Sequence, residues 1–240
     1  MDLGATCSAS CSDQPSKPYV VCVEGNIGCG KSTMMEYFKN CSDSVEVVPE
    51  PLEKWTNLNG HNALAKLYED SERWGFAFNL YAALTRLQMH STVTTKRVVL
   101  LERSLYSLRY CFVEADYQCG KINSLDYSII NEWFEYSLSQ NLVNIDLFVY
   151  LRVDPKLCYE RLKLRNRKEE TTVPYVSMHR SCLIHLSLLE GLHAAHESML
   201  IDRKFPLPAK VLVVDGNVAA TNMESIFDQL KSQMLFQADS

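Results

Sequence analysis

A stretch of small and charged residues, "GNIGCGKS", occupies positions 25–32 directly after the apolar run "YVVCVE". Its spacing, Gly-x-x-x-x-Gly-Lys-Ser, is the Walker A pattern of phosphate-binding loops. Glycines let backbone N–H groups face phosphate oxygens, and the helix that follows points its positive end at the anion. We expect Lys31 to reach the β- and γ-phosphates of a nucleoside triphosphate and Ser32 to bind Mg²⁺. The predicted phosphate-binding residues are Gly25, Asn26, Ile27, Gly28, Cys29, Gly30, Lys31, Ser32 and Thr33.

A carboxylate ends each of the next two apolar runs. Glu50 ends "VEVVPE" and Glu102 ends "RVVLLE". If these runs are parallel strands, both side chains come to the carboxyl edge of one sheet, where open α/β sheets bind ligands. Glu50, held between two prolines, is placed to take the proton from a hydroxyl that attacks the γ-phosphate. Glu102 is placed to help hold Mg²⁺, partly through water. This pattern favours phosphoryl transfer to a hydroxyl.

Basic side chains complete the candidate site. Arg103 directly follows the second of these carboxylates, and we expect it to bind the acceptor oxygen or to stabilise charge on the transferred phosphoryl group. Arg161, Arg165 and Arg167 lie in "YERLKLRNRKEE", after the fourth apolar run. The first two are four residues apart and share a helix face. The segment lies where a mobile phosphate lid is expected, so we predict that these arginines bind the donor phosphates.

Five short apolar runs predict buried parallel strands, at residues 19–24, 45–50, 97–102, 146–153 and 210–215. Helical patterns separate them, at residues 31–40, 71–95, 124–140, 155–168, 181–201 and 221–236. Strands that alternate with helices indicate an α/β fold with helices on both faces of the sheet. The prediction is a P-loop kinase fold with a five-stranded parallel sheet. We expect one domain over residues 19–240, after a disordered tail at 1–18.

Composition argues against several other classes of protein. The net charge of −5 does not favour a general nucleic-acid binder, and no apolar stretch approaches the ~18 residues of a membrane span. Nine cysteines without a CxxC pair or a secretory signal indicate reduced thiols. We therefore expect neither a nucleic-acid polymer nor a membrane as partner. The expected location is the cytoplasm, and a mitochondrial location stays open although residues 1–18 lack arginine.

Four segments in this order resemble the deoxyribonucleoside kinase family: "EGNIGCGKST", "PEPLEKW", "ERSLYSLRYCFVE" and "RNRKEE". The resemblance covers about residues 19–236, and "NLNGHNALAKLYED" and "NEWFEY" are most similar to its thymidine kinase and insect branch. It implies ATP-dependent, Mg²⁺-assisted phosphorylation of the 5′-hydroxyl of deoxyribonucleosides, for nucleotide salvage. The implied base preference is broad or pyrimidine-leaning, and the implied assembly is a homodimer joined through helices.

The resemblance also implies roles for individual residues. Glu50 is similar to the base that takes the 5′-hydroxyl proton, and Arg103 to the arginine beside that hydroxyl. Tyr68 and Glu170 match the pair that holds the 3′-hydroxyl. The three arginines of the predicted lid match those that hold the donor phosphates, and Asp215 lies in the loop used near the donor base. The residues implied for the acceptor pocket are Trp55, Phe78, Asn79, Arg86, Leu108 and the run 112–114, which begins with Phe112.

Two pocket positions depart from the family pattern. Asn79 stands where the family has a glutamine that reads the Watson–Crick edge of the base. Its amide is one methylene shorter, so the base shifts, a water intervenes, or affinity falls. Arg86 stands where the thymidine-accepting branch has methionine, and the branch with arginine there pairs it with an aspartate at the position of Leu108. Arg86 therefore needs another acceptor, since an unpaired buried charge is costly, and it would crowd a thymine methyl group.

A third departure is an extra stretch of about ten residues near "YVSMHRSCLI". It could loosen the lid, form a surface loop or reflect an imperfect gene model. Together the departures keep a second function open, a divergent paralogue that binds nucleotides or deoxynucleosides with little or no turnover. A nucleoside monophosphate kinase is a third candidate, although a carboxylate base suits a hydroxyl acceptor better than an anionic phosphate.

Overall fold

One parallel sheet forms the centre of the fold. The computed structural model describes residues 17–41, 43–165, 186–218 and 220–238. Within them, the strands are β1 (Tyr19–Glu24), β2 (Val45–Val48), β3 (Val98–Glu102), β4 (Leu147–Arg152) and β5 (Lys210–Asp215). Their order across the sheet is β2-β3-β1-β4-β5. The predicted five-stranded parallel sheet is confirmed.

Helices connect the strands and cover the sheet. The longer ones fall where the sequence predicts them, whereas the short helices between β2 and β3 and the helical run after β3 are not predicted. No helix among the described residues is long and apolar enough to cross a membrane. The helices are α1 (Lys31–Cys41), α2 (Leu52–Thr56), α3 (Ala63–Glu69), α4 (Ser71–His90), α5 (Leu105–Ser107), α6 (Glu114–Gln118), α7 (Ser124–Ser139), α8 (Pro155–Arg165), α9 (Leu186–His196) and α10 (Ala220–Ala238), with π-helical segments at Leu108–Val113 and Glu197–Ile201.

Several predicted boundaries are wrong for local reasons. β2 ends two residues early because Pro49 has no N–H to continue the ladder. α4 ends at His90 rather than residue 95, because the hydroxyls of Ser91 and Thr92 bond back to carbonyls of its last turn. The predicted helix 181–201 changes to a π-helix for its last five residues. Residues 1–16 of the predicted tail, residues 166–168 of the fourth predicted helix and residues 181–185 of the fifth lie outside the described residues.

Alternate residues of the central strands enter two separate hydrophobic clusters. On β1, Val20 and Cys22 belong to one cluster, and Val21 and Val23 belong to the other. Successive side chains of a strand point to opposite faces, so the sheet is buried on both faces. Residues of α4 and α7 complete the first cluster, and residues of α1 and α10 complete the second. The predicted arrangement, with helices on both faces, is confirmed.

The position of β1 determines where a ligand can bind. β1 lies between β3 and β4. The chain places β2 and β3 on one side of β1 and then crosses to place β4 and β5 on the other side. In open α/β sheets, a crevice forms at such a point, outside the carboxyl ends of the strands. The loop 25–30 follows β1 at this edge, and Glu50 and Arg103 follow β2 and β3. The fold therefore brings the predicted chemistry to one place.

Candidate active site

One cleft of about 660 Å³ contains most of the predicted site. The phosphate-binding loop lines one end, and aromatic and aliphatic side chains from α2, α3, α4 and the run after β3 line the other. A phosphate donor and an apolar, flat acceptor therefore fit the same cavity. The predicted residues that line it are Ile27, Gly28, Gly30, Lys31, Ser32, Thr33, Glu50, Trp55, Tyr68, Phe78, Asn79, Arg86, Glu102, Arg103, Leu108, Phe112 and Arg161.

The loop between β1 and α1 needs glycine at its first position. Gly25 has φ +145°, and a Cβ there would lie 2.6 Å from the Leu151 carbonyl oxygen. Lys31 is buried, and its Nζ donates to the carbonyl oxygens of Gly25 at 3.2 Å and Asn26 at 2.8 Å. The Asn26 side chain donates to the Leu189 carbonyl at 2.8 Å, which connects the loop to α9. The ammonium group of Lys31 is thus held over the loop by backbone carbonyls. A bound phosphate would take the place of these carbonyls as its hydrogen-bond acceptor.

Two oxygen-bearing side chains meet beside the loop. The Ser32 hydroxyl donates to Glu102 Oε1 at 3.1 Å. The other oxygen, Oε2, accepts from the backbone N–H of Glu50 at 3.4 Å. Glu102 therefore joins the start of α1 to the segment that follows β2. Ser32 and Glu102, the two predicted Mg²⁺ ligands, lie side by side. No group of three or more His, Cys, Asp or Glu side chains in the described ranges could hold a metal ion by itself.

The Glu50 carboxylate lies between two arginine side chains. Its Oε1 accepts a hydrogen bond from Arg86 Nη2 at 2.7 Å and lies 3.2 Å from Arg103 Nε. Burial alone would raise this carboxyl's pKa, but the charges of Arg103, Arg86 and Lys31 together hold the pKa below its ordinary value. Glu50 is therefore ionised at neutral pH, which is the state that a general base requires.

The same contact supplies the acceptor that Arg86 needs in the absence of an aspartate at position 108. Leu108 is buried in the cleft, and Arg86 pairs with Glu50 instead. The guanidinium also lies 5.6 Å from the centre of the Trp55 ring, within the range of a cation–π contact. Its Nε and Nη1 atoms are buried without a hydrogen-bond partner among the described residues. Arg86 thus links the Trp55 wall of the cleft to the Glu50 carboxylate.

Arg103 is held in an unusual backbone conformation. Its φ of +68° lies in the left-handed region, which a non-glycine residue adopts at a cost of about 1–3 kcal/mol. Its Nη1 donates to the Gly25 carbonyl at 2.8 Å, and its guanidinium lies 4.7 Å from the centre of the Phe112 ring. These contacts direct the side chain to the point where the phosphate loop, Glu50 and the acceptor pocket meet.

A buried histidine supports Arg103 from behind. His196 Nδ1 lies 2.6 Å from the Leu192 carbonyl oxygen, so Nδ1 carries the proton and donates. Nε2 is then the acceptor that faces Arg103 Nη1 at 3.5 Å. Burial, reinforced by the Arg103 charge, lowers the pKa of His196 to about 3. The sequence interpretation missed this residue because "HAAHE" contains no recognisable metal or catalytic motif.

Aromatic side chains form the walls of the acceptor pocket. The rings of Trp55 and Phe78 meet edge to face, with centroids 5.5 Å apart and planes at 72°. Trp55 is fixed by a hydrogen bond from Nε1 to Thr85 Oγ1 at 3.0 Å. Leu108 and Phe112 lie one helical turn apart on the run after β3, and both line the cleft. This apolar slot suits a flat heterocyclic base.

The polar end of this pocket contains two residues that the sequence interpretation missed. Asn79 Nδ2 donates to the Gly75 carbonyl at 2.9 Å and to Asp116 Oδ2 at 3.4 Å. Asp116 also pairs with Lys121 Nζ at 3.6 Å, and both of these residues line the cleft. Spacing could have identified Asp116, because it follows Phe112 by four residues on a continuous helical run and so shares its face.

The residues predicted to bind the donor are only partly at the cleft. Arg161 donates from Nη1 to the Cys29 carbonyl at 3.1 Å and from Nη2 to the Gly216 carbonyl at 3.0 Å, so it joins the loop to the end of β5. Asp215 lies outside the lining of the cleft, and its Oδ1 accepts both the backbone and the side-chain N–H of Asn217. Arg167, Glu170, the extra stretch and the side chain of Arg165 lie outside the described residues.

Comparison with known proteins agrees with this geometry. A family model described as deoxynucleoside kinase matches residues 21–235. The human and Macaca fascicularis proteins named thymidine kinase 2, mitochondrial, are each 42% identical over 223 residues, which cover 92% of this chain and 80% of theirs. Mouse deoxycytidine kinase is 34% identical over 220 residues, which cover 82% of this chain and 80% of its own. The resemblance inferred from four short segments is confirmed, and the chain belongs to the deoxynucleoside kinase family.

Proposed function

We propose that this deoxynucleoside kinase transfers the γ-phosphoryl group of ATP to the 5′-hydroxyl of deoxyribonucleosides, with a broad or pyrimidine-leaning range of bases. The observation that carries the proposal is the position of Glu50. Its ionised carboxylate lies between the phosphate loop and the aromatic pocket, in a single cleft that both ends share. A hydroxyl bound there would meet the base and the donor at the same time.

Glu50 is the proposed proton acceptor. Its Oε1 is engaged by two arginines, while its Oε2 accepts no hydrogen bond from the part of the chain that the structure describes. Oε2 can therefore accept the 5′-hydroxyl proton without breaking either contact. Arg103, held by Gly25 and Phe112, supplies a fixed positive charge beside the developing charge on the phosphoryl group. Because Arg103 is buried and already oriented, little reorganisation is needed when that charge develops.

The donor is bound by the loop and the basic side chains around it. Lys31 exchanges its carbonyl partners for the β- and γ-phosphates, and Arg161 keeps the loop against β5. The hydroxyl of Ser32 and the carboxylate of Glu102, 3.1 Å apart, are hard oxygen ligands and fit Mg²⁺, which usually keeps several waters and binds few protein groups. When bound, Mg²⁺ neutralises charge on the phosphates. Arg165 and Arg167 remain predicted lid residues, Glu170 with Tyr68 a predicted 3′-hydroxyl pair, and Asp215 a predicted donor-base contact.

The decisive experiment follows product formation. Purified protein is incubated with ATP, Mg²⁺ and each of the four common deoxynucleosides, and products are separated by chromatography. We expect a 5′-monophosphate from at least one of them, and none from the matching 2′,5′-dideoxynucleoside, which lacks the acceptor hydroxyl. Binding without any monophosphate would instead support the paralogue without turnover. A preference for an acceptor that already carries a phosphate would support a monophosphate kinase.

We also propose that the protein is a homodimer joined through α4 and α7. These helices contact each other, and exposed apolar side chains lie on both: Leu84 on α4, and Leu125, Ile129, Trp133 and Tyr136 on α7. The four positions on α7 follow helical spacing, so they form one stripe. Trp133→Glu should yield a monomer in analytical ultracentrifugation, whereas Val93→Glu, at an exposed apolar residue outside both helices, should remain dimeric. A wild-type monomer would contradict the proposal.

Two further predictions accompany this assignment. We propose that residues 19–240 form one kinase domain, which predicts a single cooperative unfolding transition and stabilisation of the whole domain by ATP.

We propose a cytoplasmic location for the protein. The mitochondrion is the alternative, because the names of two relatives contain the word mitochondrial. Cell fractionation with an antibody to the native protein separates the two locations.

A further inference from the structure

A polar cluster forms part of the cleft surface. Asn79, Asp116 and Lys121 all line the same cleft as the aromatic side chains, and Asn79 directly follows Phe78 of the aromatic wall. Asp116 Oδ2 accepts from Asn79 Nδ2 at 3.4 Å, and Asp116 Oδ1 lies 3.6 Å from Lys121 Nζ. Its side chain keeps 20% exposure, and the structure places it on the cleft surface. A carboxylate thus faces the space that the base of an acceptor would occupy.

The contact between Asn79 and Asp116 determines what the cluster offers to a ligand. Both amide hydrogens of Asn79 have acceptors, the Gly75 carbonyl and Asp116 Oδ2. Asn79 lines the cleft, and its Oδ1 accepts no hydrogen bond from the described residues, so this oxygen is available as an acceptor. Ionised Asp116 can only accept hydrogen bonds. Burial raises the pKa of Asp116 above its ordinary value, and the neighbouring Lys121 limits that rise. The cluster therefore presents acceptors and lacks a free donor on the Asn79 side.

We infer that Asp116 is a specificity-determining residue that favours acceptors whose base carries an exocyclic amino group on the edge facing Asn79. The inference rests on the proposed function and specifies its substrate class. An amino group has two N–H donors, which match Asp116 and Asn79 Oδ1. A carbonyl oxygen in the same position would face two acceptors and lose its hydrogen bonds to water, which costs more than the loss of a contact. Asp116 thus discriminates by repelling the oxo base as well as by binding the amino base.

Pairs of nucleosides that differ along the same base edge test this inference. Deoxycytidine is compared with deoxyuridine, and deoxyadenosine with deoxyinosine. Each pair exchanges an amino group for an oxo group at nearly constant size, and the neighbouring ring nitrogen changes from an acceptor to an N–H donor. For the wild-type protein we expect kcat/KM to favour the amino member by about tenfold or more in whichever pair is turned over, as expected for a hydrogen bond to a charged group. Asp116→Leu should reduce that ratio to near one, mainly by lowering kcat/KM for the amino member.

Two further variants distinguish a role of Asp116 in base recognition from a role in stabilising the fold. Asp116→Asn keeps the size of the side chain and can offer either an N–H or an oxygen, so it should also reduce the ratio while preserving the melting temperature. Asp202→Asn, at an exposed aspartate outside the cleft, should leave the ratio unchanged. If Asp116→Leu does not fold, the wild-type ratio and the Asn variant decide the question.

The possible failures are distinguishable. A wild-type enzyme that uses the amino and oxo members equally overturns the inference and leaves the proposed function intact. A uniform fall in kcat/KM for all four nucleosides on replacement of Asp116 also overturns it, because that result indicates a structural role. No phosphorylation of any deoxynucleoside overturns the proposed function and the inference together.

Discussion

The two ends of the cleft are constructed in different ways. At the phosphate end, Lys31 is held by backbone carbonyls of its own loop, and the shape of that loop depends on Gly25. At the base end, the polar groups are side chains that pair across separate elements: Arg86 of α4 with Glu50 after β2, and Asn79 of α4 with Asp116 of α6. One end depends on local backbone geometry, and the other on pairs that are distant in sequence.

This difference follows from what the two ends are proposed to bind. Every nucleoside triphosphate presents the same phosphates, so one backbone cradle serves all donors. Bases differ in their donor and acceptor patterns, so the end that reads them must change through side chains. In this chain one such change also reaches the reacting end, because Arg86 contacts both the pocket wall and Glu50. We therefore expect base recognition and the ionisation of Glu50 to be coupled through one side chain.

The largest effect that tests this comparison is expected at the phosphate end. Lys31→Met removes a buried positive charge aimed at the transferred phosphates, so kcat/KM should fall about 10³-fold. Because the phosphate end does not contact the base, kcat/KM should fall by the same factor for every accepted deoxynucleoside. Lys39→Met, an exposed position on the same helix, is the control. A loss that differs strongly between bases would show that the two ends are not separate.

A smaller and more selective effect is expected for Arg86→Met. The neutral side chain no longer crowds a thymine methyl, so the ratio of kcat/KM for thymidine over deoxycytidine should rise about tenfold. The variant also removes one of the cations that lower the pKa of Glu50, so that pKa rises. The carboxylate then protonates at higher pH, and the acid limb of the kcat/KM profile should move to higher pH.

The control for this variant is Arg73→Met, at an exposed arginine on the same helix. It should change neither the base preference nor the pH profile. An unmoved acid limb in the Arg86 variant would show that the contact between Arg86 and Glu50 does not influence the reacting end.

The smallest effect concerns the support behind Arg103. The pKa of His196 is 6.5 in an ordinary environment and about 3 in the fold, so between these values the unfolded chain binds more protons than the native one. The stability that this neutral histidine contributes is complete above pH 6.5 and is lost as the pH falls toward 3. The slope from this residue is at most ~1.4 kcal/mol per pH unit.

Urea unfolding at a series of pH values measures this slope. As the pH falls from about 6 toward 3, the free energy of unfolding should decline less steeply for His196→Asn than for the wild type. The two slopes should differ by about the contribution of one titrating group. The exposed His61→Asn variant should follow the wild type. Equal slopes for all three proteins would mean that His196 does not stay neutral in the fold.

The parts of the molecule that the sequence predicts best are those with local causes. The Walker A spacing identifies the loop, and continuous apolar runs identify the strands, because both depend on neighbouring residues. β1 and β5 match their predicted bounds, whereas α4 ends early because hydroxyls in "HST" bond to its last carbonyls. The pairing of Arg86 with Glu50 joins residues that are 36 positions apart, and no local pattern indicates it. His196 is 93 positions from Arg103, so its role is equally invisible before the fold is known.

Glu50 provides the most direct test of the whole account, because both ends of the cleft meet at its carboxylate. The measurement is kcat/KM for the preferred deoxynucleoside in Glu50→Gln, beside wild type and the exposed Glu132→Gln control, with ATP affinity determined for each protein. A glutamine keeps the size of the side chain but cannot accept the proton. We expect kcat/KM to fall about 10²–10⁴-fold for Glu50→Gln alone, with ATP affinity close to wild type. Turnover that stays near the wild-type rate would contradict the assignment of Glu50 as the base.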